Sequence, residues 1–256
     1  MASRPLLLDV VRSEWAKLWS VRSTAWALLG TAAALVALAA VFPATGPHAP
    51  PDPVAYGLSS FFQAQLGAAV LGVLAITSEY ATGSIRATLT ATPRRITLLG
   101  AKTIVVAATA TVVGIASAFL AFFVAAQVLA GRGVSIALGD PGALRAVVGT
   151  GLYLAVVAVL ALALGVVLRS SVATISVVVA VLLVLPGIAT ALPGSWQSAA
   201  VPYLPAEAGQ SIIGRTRFAP AGAHLLAPWT GFGILCAYAV VALAAAAVTL
   251  SRRDSG

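Results

Sequence analysis

The sequence predicts an all-α, polytopic membrane protein with six transmembrane helices and both termini cytoplasmic. Three observations carry that expectation. Of the 256 residues, 60% are hydrophobic and only 9% are charged, and the mean hydropathy is +1.02. A soluble domain carries about 25% charged residues; lipid needs no such polar coat. Next, apolar runs long enough to cross a bilayer recur along the chain, separated by short polar segments. Finally, Lys and Arg number 15 against 7 Asp and Glu, a net charge of +8. The basic residues lie between the apolar runs and at the chain ends, a pattern of topology determinants rather than of a nucleic-acid surface.

Residues 5–22, P-L-L-L-D-V-V-R-S-E-W-A-K-L-W-S-V-R, come first. At helical spacing Leu7, Val11, Trp15 and Leu18 share one face, with Leu8 and Trp19 beside them. Asp9, Arg12, Ser13, Ala16, Lys17 and Ser20 share the other. This predicts an amphipathic helix in the membrane interface, its tryptophans at headgroup depth. A short soluble helix is the plainer alternative. No cleaved signal peptide is expected, because the first apolar run begins near Ser23, is long enough to span and lacks a clear cleavage site.

Span 1 is predicted over 24–42, followed by a proline-rich loop at 43–57 with no Lys or Arg, and span 2 over 58–77. The apolar pattern from Ile96 to Ala130 exceeds the roughly 20 residues needed to cross. Thr92-Pro93 is a good helix start, with Thr as N-cap and Pro at the first helical position. The lipid-crossing part of span 3 is then 103–127. Span 4 is predicted over 143–168 and span 5 over 172–192. The tight Arg169-Ser170-Ser171 turn between them makes them antiparallel neighbours. Pro186-Gly187 should kink or end span 5. An extracellular loop at 193–228 precedes span 6 at 229–250. Counting Lys and Arg orients the bundle. Arg4, Arg12, Lys17, Arg22, Arg86, Arg94, Arg95, Lys102, Arg169, Arg252 and Arg253 fall inside, against Arg132, Arg145, Arg215 and Arg217 outside.

Little in the sequence can carry catalysis. There is no G-x-x-x-x-G-K-[ST] phosphate loop and no H-E-x-x-H. His48 and His224 lie far apart in polar stretches, and Cys236 is alone, so neither a metal cluster nor an intrachain disulfide is expected. No Asp or Glu falls mid-span to suggest a proton relay. The chain is therefore expected not to be an enzyme, and to hold no cofactor of its own.

What remains is the polar segment Ser78 to Lys102, which holds Glu79, Arg86, Arg94, Arg95 and Lys102. Gly83 permits a tight turn. Ser84 or Thr82 can cap a short helix, Ile85 and Leu89 give it an apolar face, Arg86 a charged flank, and Pro93 ends it. Such a helix suits docking into a protein groove. The plainer reading is that these arginines only set topology.

Four quoted stretches carry a resemblance. They are S-E-W-A-K-L-W-S-V-R-S-T before span 1, E-Y-A-T-G-S-I-R-A-T-L-T-A-T-P-R-R after span 2, L-R-S-S between spans 4 and 5, and L-P-A-E-A-G-Q in the last outer loop. In that order they resemble type-2 ATP-binding-cassette (ABC) transporter permeases, especially actinobacterial ones. The resemblance covers essentially the whole chain, and no single motif decides it. It implies one permease domain over 1–256 in a bacterial plasma membrane. That domain pairs with a second permease copy or paralogue and sits on two copies of a separate ATPase subunit, which holds the ATP and Mg. It implies that 5–22 is the interfacial elbow helix and 79–95 the coupling loop. Glu79, Gly83, Ile85, Arg86, Leu89, Pro93 and Arg94 would then serve coupling to the ATPase. The 193–228 loop would dip back toward the membrane and gate release. Export of drugs, antibiotics, lipids or peptides follows from the same resemblance. A non-transporting membrane sensor or scaffold of the same fold is the alternative, and an intramembrane enzyme acting on lipids is a further one.

Gln63, Gln65 and Gln127 near the outer ends of spans 2 and 3 can line a substrate path, or simply hydrogen-bond a neighbouring helix. Phe61, Phe62, Phe119, Phe122 and Phe123 can contact a hydrophobic substrate, or pack. Ala161 and Gly165 mark a face suited to close helix packing.

Overall fold

A computed structural model of the chain describes residues 7–47, 50–85, 88, 90, 94–191, 193–214 and 226–253. Among them there is no strand. An interfacial-length helix, α1 (Leu7–Ser20), leads directly into α2 (Arg22–Thr45). After a short α3 (Pro53–Gly57) come α4 (Phe61–Ala81), α5 (Arg95–Ala130) and α6 (Ala143–Leu168). Then follow α7 (Ser171–Ala189), α8 (Gly194–Ala200), α9 (Pro205–Gln210) and α10 (Pro228–Arg253). Helices α2, α4, α5, α6, α7 and α10 are each long and apolar enough to cross a membrane.

The hub is α6. It is buried along its length, and α4, α5 and α10 pack around it, with α2 against α4 and α5. Missing side chains permit this closeness. A Cβ on Gly72 of α4 would lie 1.9 Å from the Ala158 carbonyl oxygen of α6. Between α5 and α6, Gly114 meets Gly151 backbone to backbone. Between apolar helices in lipid, such contact replaces the hydrophobic drive that water would supply.

Two boundaries differ from the sequence expectation, and the irregularity expected at Pro186-Gly187 is present. Span 2 begins at Phe61 and ends at Ala81, so Glu79 lies within the last turn of α4. Arg94 is the extended N-cap of α5 (φ −82°, ψ 91°), and the helix starts at Arg95. Thr92 and Pro93, the predicted cap and first residue, lie outside the described residues. In α7, Leu185 N–H donates to Ala180 O across a π turn at Ala180–Val184. Pro186 has no N–H to give, and the widened turn ahead of it accommodates that loss.

The α6–α7 turn is tight because Arg169 takes a left-handed conformation (φ 54°) and Ser170 caps α7, its Oγ accepting from Ala173 N–H at 3.3 Å. At the other end of the bundle, residues 205–213 are all buried. They pack between α6 and α10: a Cβ on Gly209 would strike Leu235 and the Tyr153 ring, and Gly149 leaves room for Ile212.

Candidate functional site

Helix α4 ends where Thr82 Oγ1 donates to Ser78 O at 2.9 Å and Gly83 turns the chain with φ 70°. A side chain there would be strained, which is why glycine suits the corner. Thr82 and Ser84 share a hydroxyl hydrogen bond of 2.9 Å. Thr88 N–H then donates to Ser84 O, closing a helical turn that includes Ile85 and Thr88.

Beneath this turn four charged side chains converge from three helices. Lys102, two turns into α5, donates to Glu14 Oε2 at 2.6 Å, to Glu79 Oε1 at 2.7 Å and to Ala75 O at 3.2 Å. Lys17 of α1 donates to Glu14 Oε1 at 2.7 Å, to Glu79 Oε1 at 3.4 Å and to Thr88 Oγ1 of the loop at 3.3 Å. The Lys102 and Glu14 side chains are each 4% exposed and that of Lys17 is 44% exposed. Two ammoniums therefore neutralise two carboxylates, with Glu14, Glu79 and Lys102 shielded from solvent and Lys17 partly open to it. Burial pulls the Lys17 pKa down, but the hydrogen bond and charge of Glu14, reinforced by Glu79, prevail and raise it above 10.5. Glu79 Oε2 is buried with no hydrogen-bond partner among the described residues. A cavity of about 450 Å³ opens beside the cluster, bounded by α1, α4, α5 and the loop.

The local folding logic is a rotation of α1. Its inward residues are Val10, Glu14 and Leu18, one turn apart. Val10 packs on Leu98 and Ala101 of α5. Trp15 and Trp19 are outward, their rings 6.0 Å apart. The apolar face expected from the sequence is thus split, with Leu18 inside and Leu7, Leu8, Trp15 and Trp19 exposed.

The predicted coupling residues separate in the same way. Glu79 is 8% exposed and engaged internally, not presented to a partner. Ile85 is half-buried and packs on the main core, so its apolar surface is turned inward. Arg94 is exposed. Arg86, Leu89 and Pro93 lie outside the described residues. The glutamines do not form one path. Tyr153 OH donates to Gln65 Oε1 at 2.5 Å, a buried helix-to-helix link beside Gln210 of α9. Gln63, two residues on from Phe61, is half-buried on another side of α4, and Gln127 is exposed. The phenylalanines also scatter: Phe61 and Phe122 are core, Phe62 and Phe119 pack against it, and Phe123 is exposed. Phe61 meets the Tyr153 ring edge-on at 5.8 Å.

Sequence reasoning missed Glu14, and took Lys102 for a topology charge. The signal was present. Glu14 interrupts the Val10–Leu18 stripe, and Lys102 sits inside an apolar helix, where an ion needs a partner. No protein-family model matches the chain, and no match to it is found among curated proteins.

Proposed function

We propose that this chain is the membrane-spanning permease subunit of an ABC exporter in a bacterial plasma membrane. In this reading it forms the translocation path with a second permease copy, and ATP and Mg bind only in a separate ATPase partner. The observation that supports it is the ionic cluster under the basic loop. Through Lys17 the loop residue Thr88 is tied to Glu14 and Glu79, and through Lys102 to α5. A push on the 79–95 segment therefore loads α1, α4 and α5 together. Transport needs such a shared element, because a partner can switch access only by binding two arrangements of the bundle unequally. The chain itself supplies the path and the contact surface; hydrolysis belongs to the partner.

The second reading is a non-transporting sensor or scaffold. The inward packing of Ile85 favours it, since the loop then offers a partner less apolar surface. A mild-detergent pull-down of the tagged chain from its host, with mass spectrometry, decides between them. The transporter reading expects a stoichiometric ATP-binding-cassette protein. It also expects the Arg86→Glu/Leu89→Asp variant to reach the membrane yet lose substrate-stimulated ATP hydrolysis. Recovery of the chain with a kinase or other enzyme, and no such ATPase, overturns it in favour of the sensor.

A further inference from the structure

The cavity beside the ionic cluster has the volume of a ligand site. Its roughly 450 Å³ falls within the range of about 300–1,000 Å³ usual for small-molecule pockets. Its exposed edge includes Ser20 and Val21, at the joint of α1 and α2, and Ser84 of the loop. Its apolar wall includes Leu74 and Ala75 of α4, both half-buried. Leu74 lies seven residues before the end of α4, so this wall reaches about 10 Å into the helix. The headgroup layer of one leaflet is roughly 5–8 Å thick. A cavity running from hydroxyls to hydrocarbon over that depth matches the boundary region of a leaflet.

The ionic cluster has nothing left to offer an ion. An ammonium has three donors. Those of Lys102 go to Glu14, Glu79 and Ala75 O, and those of Lys17 to Glu14, Glu79 and Thr88. Glu79 Oε2 is buried, closed to the cavity. The four charges cancel, so a charged ligand would shed its hydration here and meet no counter-charge.

The hydroxyls are different. Ser78 donates to Leu74 O, and Thr82 donates to Ser78 O, which leaves Ser84 as the donor in the Thr82–Ser84 bond. The Ser78 and Ser84 oxygens have each donated and can still accept. Thr24 of α2 lines the same cavity and is 4% exposed. Its hydroxyl makes no hydrogen bond to a described residue. A buried hydroxyl in that state calls for a partner. The fitting ligand is uncharged, with O–H donors for the serines, an acceptor oxygen for Thr24 and a hydrocarbon body for the apolar wall.

We propose that this cavity binds an uncharged glycerolipid of the monoacylglycerol class. Its free hydroxyls donate to Ser78 and Ser84, its ester carbonyl accepts from Thr24, and its first methylenes rest on Leu74 and Ala75. The site stands on the cavity and its hydroxyls alone, whether or not the chain transports anything.

The first test needs no variant. The full-length protein is placed in nanodiscs doped equally with mono-oleoylglycerol, oleoyl lysophosphatidate and methyl oleate. It is then extracted gently, and the retained lipid is identified by native mass spectrometry. The three share one tail. Lysophosphatidate adds a phosphate to the glycerol, and methyl oleate keeps the ester without the hydroxyls. Retention of one mono-oleoylglycerol per chain, about tenfold over either competitor, is expected from two hydrogen bonds. Thr24→Val keeps the shape of the side chain and removes its hydroxyl. It should lower that retention about fivefold and leave the lipid-free unfolding midpoint unchanged. Lysophosphatidate retained as well as mono-oleoylglycerol overturns the proposal, because the cavity then accepts a charge. Methyl oleate retained as well also overturns it, because the hydroxyls then select nothing. Undiminished retention in T24V, or a lowered lipid-free midpoint, removes Thr24 from the site and has the same effect. Free glycerol is the remaining arm. If it displaces the lipid at comparable concentration, the head alone is the ligand and the lipid assignment fails.

Discussion

Lys102 brings a full charge two turns into an apolar helix and finds two carboxylates there, at 2.6 and 2.7 Å. Its own desolvation is offset only while both are present. Removing one member of such a buried set leaves the others charged and unpaired, which costs about 3–5 kcal/mol. Lys102→Met should therefore lower the thermal unfolding midpoint sharply in detergent, followed by tryptophan fluorescence. Adding Glu14→Gln and Glu79→Gln to that variant should recover much of the loss, because no uncompensated carboxylate then remains. Lys17→Gln should behave differently. Lys17 is 44% exposed, and exposed pairs contribute roughly 0–1 kcal/mol. Its folded pKa is raised above 10.5, so its contribution is whole at neutral pH, below the ordinary value. It fades only as the pH climbs through the raised one. An unfolding midpoint for K102M within a degree of the parent would refute the account of the cluster. So would a K17Q loss as large as that of K102M.

Among the elements, α4 and α6 pack at a distance that only glycine allows. At Gly72 a methyl group would lie 1.9 Å from the Ala158 carbonyl oxygen, which is backbone and has nowhere to move. Gly72→Ala should cost about 1–3 kcal/mol, the usual penalty of overpacking. Gly30 of α2 and Gly100 of α5 have nothing within 4 Å of the same point. Alanine there removes backbone freedom without a clash and should be neutral or slightly stabilising. Melting the three variants side by side checks this, and equal midpoints would refute it. The same contrast shows what could be read from the sequence. Six apolar runs state six spans, since length and composition are local properties. The Ala161 and Gly165 face was legible as small, and a Cβ on Gly165 does meet Ile76 at 2.7 Å. Which side of α1 faces inward was misread, because the stripe taken from spacing, Leu7, Val11, Trp15 and Leu18, left out Val10 and Glu14, which the fold buries with Leu18. Burial there is decided by Glu14 finding Lys102, 88 residues away in the chain. Pro186 announced an irregularity in α7. Its answer, a π turn several residues earlier, depends on hydrogen bonds that no spacing rule displays.

At the scale of the whole molecule, α1, the loop after α4, the Arg169 turn and the end of α10 share one end of the bundle. The bonds that gather them are Lys17 to Glu79 and Thr88, the Arg169 guanidinium 5.5 Å over the Tyr80 ring, and Arg95 Nη1 donating to Leu250 O at 2.5 Å. The opposite end carries Arg132, whose guanidinium closes the end of α2 by donating to Pro43 O and to Gly46 O. Positive charge is therefore segregated by end as well as by sequence, and the richer end should lie in the cytoplasm. Cysteine scanning tests this directly, since Cys236 is the chain's only cysteine. In a Cys236→Ser background, Ser84→Cys should react with a membrane-impermeant maleimide only after the cells are opened. Gly139→Cys, in the connection between α5 and α6 and with nothing within 4 Å of its Cβ position, should react in intact cells. The reverse pattern would place the ionic cluster and the 79–95 loop outside. No ATP-driven partner could then reach them, and the permease reading would fail along with the orientation.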